Sequence, residues 1–150
     1  MEELKLSNQV CFPLYSASRL MTKAYKPLLD EIGITYPQYL VLLVLWENDA
    51  ISVNQITEKL MLNTNTISPL LKRMEKLKLI ERTRNSEDER CVTIQLTDAG
   101  KELKEKASLI PNQMLQILLS ENIELTEVLK LKEMLNIWID VLKKNSKSAE

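Results

Sequence analysis

A single change of hydrophobic period limits what this chain can fold into. Apolar residues recur at helical spacing along nearly all of it. Only at Val92, Ile94 and Leu96 do they alternate strictly, a pattern that fits a strand with one buried face. The polar sextet 85–90 stands before that strand, and Ile80 to Arg84 is its expected partner, giving a hairpin with a long charged tip. Helices are expected on either side. Leu14, Ala17, Met21, Ala24 and Leu28 step by three and four, which is a helix stripe from about 11 to 29. Pro37 opens a second helix, whose run 39–46 is apolar on every side and so is buried all round. Ser52 precedes a short amphipathic helix with Val53, Ile56 and Leu60 on one face, and a polar break at 63–66 leads into a helix over 64–78. After the hairpin, Thr97 serves as a hydroxyl N-cap with Asp98 in the first turn. Two long helical stretches follow, roughly 98–119 and 123–144. In the second, Leu125, Val128, Leu131, Leu135, Trp138 and Leu142 form one stripe, and the polar tail beyond it is expected to fray.

This order describes a mainly α protein with a small β-hairpin (α+β): a winged helix-turn-helix with extra helices at both ends. No linker or repeat interrupts it, so residues 1–150 read as a single winged-helix protomer. The winged lobe covers about 37–97, and the flanking helices cover about 8–31 and 98–145. A winged module needs only about half of such a chain, which leaves the stripes of the flanking helices without a partner. Pairing with a second copy buries them, so these helices are expected to dimerise the protein.

Composition removes several function classes. The chain has 150 residues, 45% of them apolar, enough for one real core. Zero histidines exclude the commonest general base and most zinc sites, because two cysteines cannot complete a tetrahedral shell. Two glycines are too few for a phosphate-cradling loop, and neither GxGxxG nor GxxxxGK[ST] occurs. The longest apolar run, Tyr39 to Trp46, cannot span a bilayer, and the acidic, polar start is no secretion signal. The expectation is a cytoplasmic protein with reduced cysteines that is not an enzyme, holds no metal or cofactor and does not partner a membrane.

A net charge of −1 hides a local excess. Between Thr64 and Arg84, six basic residues (Lys72, Arg73, Lys76, Lys78, Arg82, Arg84) face two acidic ones (Glu75, Glu81). That segment carries +4, and the remainder must carry −5. At 100° per residue, Ile67, Leu70, Leu71, Met74 and Leu77 occupy one side of the 64–78 helix. The other side presents Asn65, Thr66, Ser68, Lys72, Arg73 and Lys76. Small hydrogen-bonding groups lie near the N-terminal end, where a recognition helix meets base edges, and basic groups lie farther along for phosphates. Pro69 cannot donate its backbone hydrogen bond, so either the helix starts near Thr66 or it tolerates a defect on its exposed face. At the hairpin tip, Asp88 stands two residues before Arg90. A carboxylate there can orient the guanidinium for entry into a narrow minor groove, whereas a plain surface ion pair would contribute little.

These residues carry a resemblance. Asn-Thr-Ile-Ser-Pro-Leu-Leu-Lys-Arg-Met-Glu (65–75), Asp-Glu-Arg (88–90) and Ile-Gln-Leu-Thr-Asp-Ala-Gly (94–100) resemble the MarR family of dimeric winged-helix transcription regulators. The likeness covers essentially the whole chain. It implies a homodimer on a pseudo-palindromic DNA operator, acting most often as a repressor. Helix 64–78, including Pro69, would lie in the major groove and the wing arginine, here Arg90, in the minor groove, with Arg84 and Asp88 also expected among the DNA-binding residues.

A second set of residues concerns redox chemistry. Cys11 lies near the start of the first helix, with Pro13 two residues on. If the helix starts there, the positive end of its dipole favours a thiolate, and if it starts at Ser7, Pro13 becomes a kink and that advantage shrinks. Cys-Phe-x-Leu-Tyr (11–15), Tyr25 and Ile-Thr-Tyr-Pro-Gln-Tyr (34–39) resemble the oxidant-sensing OhrR/MgrA branch of the family. In that branch a cysteine matching Cys11 is the sensor of organic hydroperoxides or related oxidants, and tyrosines matching Tyr25 and Tyr36 hydrogen-bond its sulfur. On a continuous helix Tyr25 is about 21 Å from Cys11, at 1.5 Å per residue, so such a contact must come from the other subunit. Cys91, at the wing, is expected to be far from Cys11, which favours a one-cysteine sensor capped by a small cellular thiol. Three rivals remain at this level. The first is a regulator of the same fold controlled by a small phenolic ligand. The second is a thiol peroxidase, disfavoured because no arginine or threonine is placed beside Cys11. The third is a helical interaction module that never touches DNA.

Overall fold

A computed structural model of the chain describes residues 1–84, 92–119 and 123–147, with Arg84 and Lys147 described by their backbone alone. Two short 3-10 turns precede α1 (Cys11–Asp30) and α2 (Tyr36–Glu47). Then come β1 (Ile51–Ser52), α3 (Val53–Leu60), α4 (Thr64–Lys76), β2 (Ile80–Arg84) and β3 (Val92–Leu96). The chain ends with α5 (Asp98–Ala107), α6 (Ile110–Leu118) and α7 (Leu125–Lys147). Residues 1–109 and 110–150 form two compact units. Among the described residues, no helix is long and apolar enough to cross a membrane.

In the first unit, β2 and β3 make the expected antiparallel hairpin, in register from Ile80 opposite Leu96 to Arg84 opposite Val92. A third strand, β1, joins the other edge of β3 and gives the order β1-β3-β2. At two residues it is too short to show a period, so the sequence pattern did not reveal it. Ser52 ends this strand and also caps α3, its hydroxyl accepting from the Gln55 N–H at 3.2 Å. The elements follow the order and sheet topology of a winged helix. Its core is made by Val41, Leu42 and Leu45 of α2, Ile56 of α3, Ile67, Leu71 and Met74 of α4, and Ile80 and Ile94 of the sheet. As its pattern requires, α2 is apolar all round because neighbours cover it.

Two expectations need correction, and one open alternative closes. The recognition helix ends at Lys76, not 78, and Leu77 becomes its C-cap and is 51% exposed. Lys78 then takes a left-handed backbone (φ 57°), which reverses the chain and turns Leu79, not Leu77, into the core. The stretch 98–119 is two helices. Pro111 has no N–H to give the Ala107 carbonyl, so α5 closes with a tight turn from the Ser108 N–H to the Glu105 carbonyl at 3.2 Å. Pro69 does lie inside α4, on its exposed face, so the helix tolerates the defect and does not begin late.

In the second unit, α7 exposes Leu129, Leu131, Met134, Ile137, Val141 and Leu142. Val128 and Leu135 of the expected stripe are partly covered.

Candidate functional site

Cys11 is the first residue of α1 and is exposed. Gln9 has an extended backbone (φ −90°, ψ 112°), so no helix runs through from Ser7. Pro13 falls in the first turn, where its missing N–H would have had no helical partner. From Cys11, α1 continues unbroken past Tyr25 to Asp30. Fourteen residues at 1.5 Å each separate Cys11 from Tyr25 by about 21 Å. Within one protomer the structure therefore does not bring the sulfur to the phenol.

It does bring the two phenols together. Thr35 and Gln38 form a capping box at the start of α2, the Gln38 side-chain oxygen accepting from the Thr35 N–H at 2.8 Å. That cap fixes Tyr36 at the first helical position, facing α1. The Tyr25 and Tyr36 rings lie 4.8 Å apart between centroids. Tyr39 completes the cluster at 5.9 Å from Tyr25 and 6.5 Å from Tyr36. Burial pushes all three phenols above their ordinary pKa, with neighbouring phenols adding to the rise at Tyr25 and Tyr39. They are thus neutral hydrogen-bond donors at physiological pH.

Tyr39 also meets Trp46 edge-on at 6.3 Å. The Trp46 indole N–H donates to the Gly100 carbonyl at 2.9 Å, and Lys104 Nζ donates to the Trp46 carbonyl at 3.1 Å. Gly100 itself leaves no room for a side chain, since a Cβ there would meet the Leu79 carbonyl oxygen at 2.1 Å. Beside it, Thr97 donates its hydroxyl to the Lys78 carbonyl at 2.6 Å. The aromatic cluster is thereby tied, through α5, to the point where α4 turns into the wing. Sequence reasoning quoted Tyr39 in the 34–39 motif and placed it with Trp46 in a buried run, without giving either a role. Their signal was spacing, because positions 36, 39 and 46 share one face of a helix.

The second constellation lies on α4. Asn63 caps it, its side-chain oxygen accepting from the Thr66 N–H at 2.9 Å and from the Thr66 hydroxyl at 2.8 Å. Ile67, Leu70, Leu71 and Met74 are buried, so the opposite face is turned outward. Asn65, Thr66, Pro69, Lys72, Arg73 and Lys76 are exposed there and Ser68 is half-buried. Among the described residues none of these three cations makes an ion pair. Arg84 is placed by its backbone at the end of β2, whereas Asp88, Arg90 and Cys91 lie outside the described residues.

A helix-turn-helix with an outward polar and basic second helix, followed by a β wing, defines a winged-helix regulator of the DNA-binding class. Comparison with known proteins gives the same class. The family model of the transcriptional regulators SarA/Rot matches residues 23–107, and the chain belongs to this family of MarR-like winged-helix proteins, which are regulators and not enzymes. The organic hydroperoxide resistance transcriptional regulator of Bacillus subtilis is 55% identical over 76% of this chain and 78% of its own. The HTH-type transcriptional regulator MgrA of Staphylococcus aureus is 40% identical over 71% and 74%. Reduced AbfR bound to DNA, a regulator of Staphylococcus epidermidis, superposes with a TM-score of 0.80 at 37% identity, covering 96% of both chains. Overoxidised AbfR bound to DNA gives 0.75 at 36% identity, over 94% and 97%.

Proposed function

We propose that this chain is a cytoplasmic, homodimeric, redox-sensing repressor that holds a pseudo-palindromic operator while Cys11 is reduced and releases it when Cys11 is oxidised by an organic hydroperoxide. The observation that carries the reading is the split site. An exposed cysteine opens α1, and about 21 Å farther along the same helix Tyr25 joins Tyr36 and Tyr39 of α2 in a cluster of protonated phenols. Two first helices crossing antiparallel in a dimer place Tyr25 and Tyr36 of each protomer against Cys11 of the other. The likeness to a hydroperoxide-resistance regulator and to AbfR supports the same chemistry.

In this reading the dimerisation helices are about 8–31 and 98–145, and the DNA-binding lobe is about 37–97. Asn65, Thr66, Ser68 and Pro69 enter the major groove, Lys72, Arg73 and Lys76 meet the backbone, and Arg84, Asp88 and Arg90 serve the wing. The Cys11 thiolate attacks one peroxide oxygen, so that an S–O bond forms, the O–O bond breaks, and the alkoxide leaves as an alcohol after protonation. A small cellular thiol then condenses with the sulfenic acid, giving a mixed disulfide and water. Phenols that bonded a thiolate lose that partner, which separates the energies of the two states.

A second reading has one observation behind it. A cleft of about 430 Å³ beside Tyr36 is lined by Arg19, Lys23, Lys26 and Asp30 of α1, and with Lys26 paired to Asp30 the net positive charge of Arg19 and Lys23 suits a small phenolic acid. Anisotropy titration of a fluorescent duplex from the chain's own promoter region separates the two. Wild type and Cys11→Ser are compared when reduced, after stoichiometric organic hydroperoxide with and without a small thiol, and after salicylate. Release by peroxide in wild type alone supports the redox switch. Release of both proteins by salicylate, with no response to peroxide, supports the ligand reading and overturns the first.

A further inference from the structure

Arg82 stands on a face of β2 where a solvated cation has no reason to be. Side chains alternate along a strand, so Arg82 shares its face with Ile80, which is buried. Its cross-strand partner is Ile94, which is also buried. An apolar residue would complete that face. Instead a half-buried Arg82 stands there, its Nε shut off from solvent and without an acceptor among the described residues. No described carboxylate pairs with the guanidinium either. A buried donor without a partner is destabilising, so it calls for an acceptor delivered from outside.

The surroundings say which acceptor fits. Arg82 lines a cleft of about 200 Å³ together with Ser52 and Asn54 at the start of α3 and Thr64 and Ser68 of α4. Among the described residues no acidic one lines it. In the first turn of α3 the capping box uses the Ser52 and Gln55 N–H groups, at 2.9 and 3.2 Å. The Val53 and Asn54 N–H groups have no partner among the described residues. A planar guanidinium, a helix N-terminus and small hydroxyls converge on one small space, and that set suits a tetrahedral oxyanion. Thr64 and Ser68 belong to the outward polar side of the recognition helix, so the cleft opens beside the surface assigned to DNA.

We propose that Arg82 binds a backbone phosphate of the DNA duplex in this cleft, and so clamps the start of α3 and the wing strand to the same strand of nucleic acid. The inference rests on the DNA-binding reading above. A phosphate contact fixes position without reading sequence, which dictates the test.

Dissociation constants of wild type, Arg82→Gln and Arg82→Lys are measured between 50 and 200 mM salt, on the promoter duplex and on a scrambled duplex. Each phosphate contact contributes about 0.9 to the slope of log affinity against log salt. Arg82→Gln is expected to lower that slope by about one on both duplexes. Its deficit relative to wild type should therefore grow about threefold to fourfold from 200 to 50 mM. Arg82→Lys keeps the charge and should keep the wild-type slope. A partly unfolded Arg82→Gln shifts the line without changing its slope, so misfolding does not imitate the result. Parallel lines for wild type and Arg82→Gln overturn the assignment, as does a loss confined to the promoter duplex. If wild type binds neither duplex, the DNA reading and the clamp fall together, whereas salt-dependent wild-type binding with parallel lines removes the clamp alone.

Discussion

The distance along α1 supports a decisive experiment on where the sensor is assembled. Cys11 and Tyr25 are separated by fourteen helical residues, or about 21 Å, whereas a phenol must come within about 3.5 Å of sulfur to hydrogen-bond it. If the phenol acts, it acts on the partner's cysteine. Consider Tyr25→Phe and Cys11→Ser, each in a Cys91→Ser background so that Cys11 is the one thiol. Phenylalanine keeps the ring packed 4.8 Å from Tyr36 and removes only the hydroxyl. A hydrogen bond to a charged group contributes about 1.5–3 kcal/mol, so its loss should lower the thiolate fraction, and with it the rate of Cys11 oxidation, by up to about 10-fold to 100-fold. The informative species is the heterodimer of the two variants, purified with two different tags. Its single Cys11 belongs to the Tyr25→Phe protomer and faces the intact Tyr25 of the Cys11→Ser protomer. Rapid quench with hydroperoxide, followed by mass spectrometry of the trapped thiol, should therefore show oxidation at the wild-type rate. Oxidation at the slow rate of the Tyr25→Phe homodimer would refute the crossed site and return Tyr25 to its own subunit.

Three further outcomes follow from the geometry. Gly100→Ala drives a methyl into the Leu79 carbonyl, 2.1 Å away, and should lower stability by about 2–4 kcal/mol in urea unfolding with an unchanged m-value. Trp46→Phe keeps an aromatic ring but loses part of the indole's packing together with the 2.9 Å bond to Gly100, at a cost of about 2–3 kcal/mol. In the proposed dimer it should also leave reduced operator binding near wild type while blunting peroxide-driven release. Full release in that variant would show that the indole carries no signal. The raised phenol pKa values predict an alkaline limit. Tyr25, Tyr36 and Tyr39 hold their protons longer in the folded chain than in the unfolded one, so their stabilisation is complete below about pH 10. It is lost as the pH climbs from there through the folded values. Unfolding free energy should decline across that window, less steeply in Tyr39→Phe, and an unchanged decline would assign the effect to other groups.

The fold was legible wherever burial leaves a period. Strict alternation at Val92, Ile94 and Leu96 marked the wing strand, and the four buried residues Ile67, Leu70, Leu71 and Met74 marked the inner face of α4. Period says little about endings. Leu77 continues the stripe arithmetically, yet the left-handed turn at Lys78 removes it from the helix. The break between α5 and α6 was carried by Pro111 alone, a local effect that an apolar stripe does not register. For the site, Cys11, Tyr25 and Tyr36 could be named from their likeness to a known pattern, and the separation of Cys11 from Tyr25 along α1 is what motivates the proposed crossed arrangement. Arg82 was counted only as one charge among six. Its singularity arises from pairing with Ile94, a relation between two strands that no single-strand pattern contains.

The same rigidity that splits the sensor gives it mechanical use in the proposed dimer. Pro27, the proline inside α1, lies beyond Tyr25, so the helix between Cys11 and Tyr25 keeps one protomer from satisfying its own sulfur. Every change at the sulfur must then alter the fit between protomers. On the receiving side, Tyr25 packs on Tyr36 and Tyr39, and Tyr39 packs on Trp46. Trp46 is hydrogen-bonded to Gly100, and Gly100 packs against the Leu79 backbone with no room for a side chain between them. A close-packed chain of this kind transmits displacement instead of absorbing it. Displacing the phenols by the bulk of one small thiol on Cys11 should therefore reorient the whole winged lobe and leave α4 internally unchanged. Hydrogen exchange would then show α4 equally protected in reduced and oxidised protein, with the difference confined to the ends of α1 and the start of α2. Loss of protection throughout α4 on oxidation would mean that the switch works by melting the recognition helix, and the rigid chain from Tyr39 to Leu79 would have no part in it.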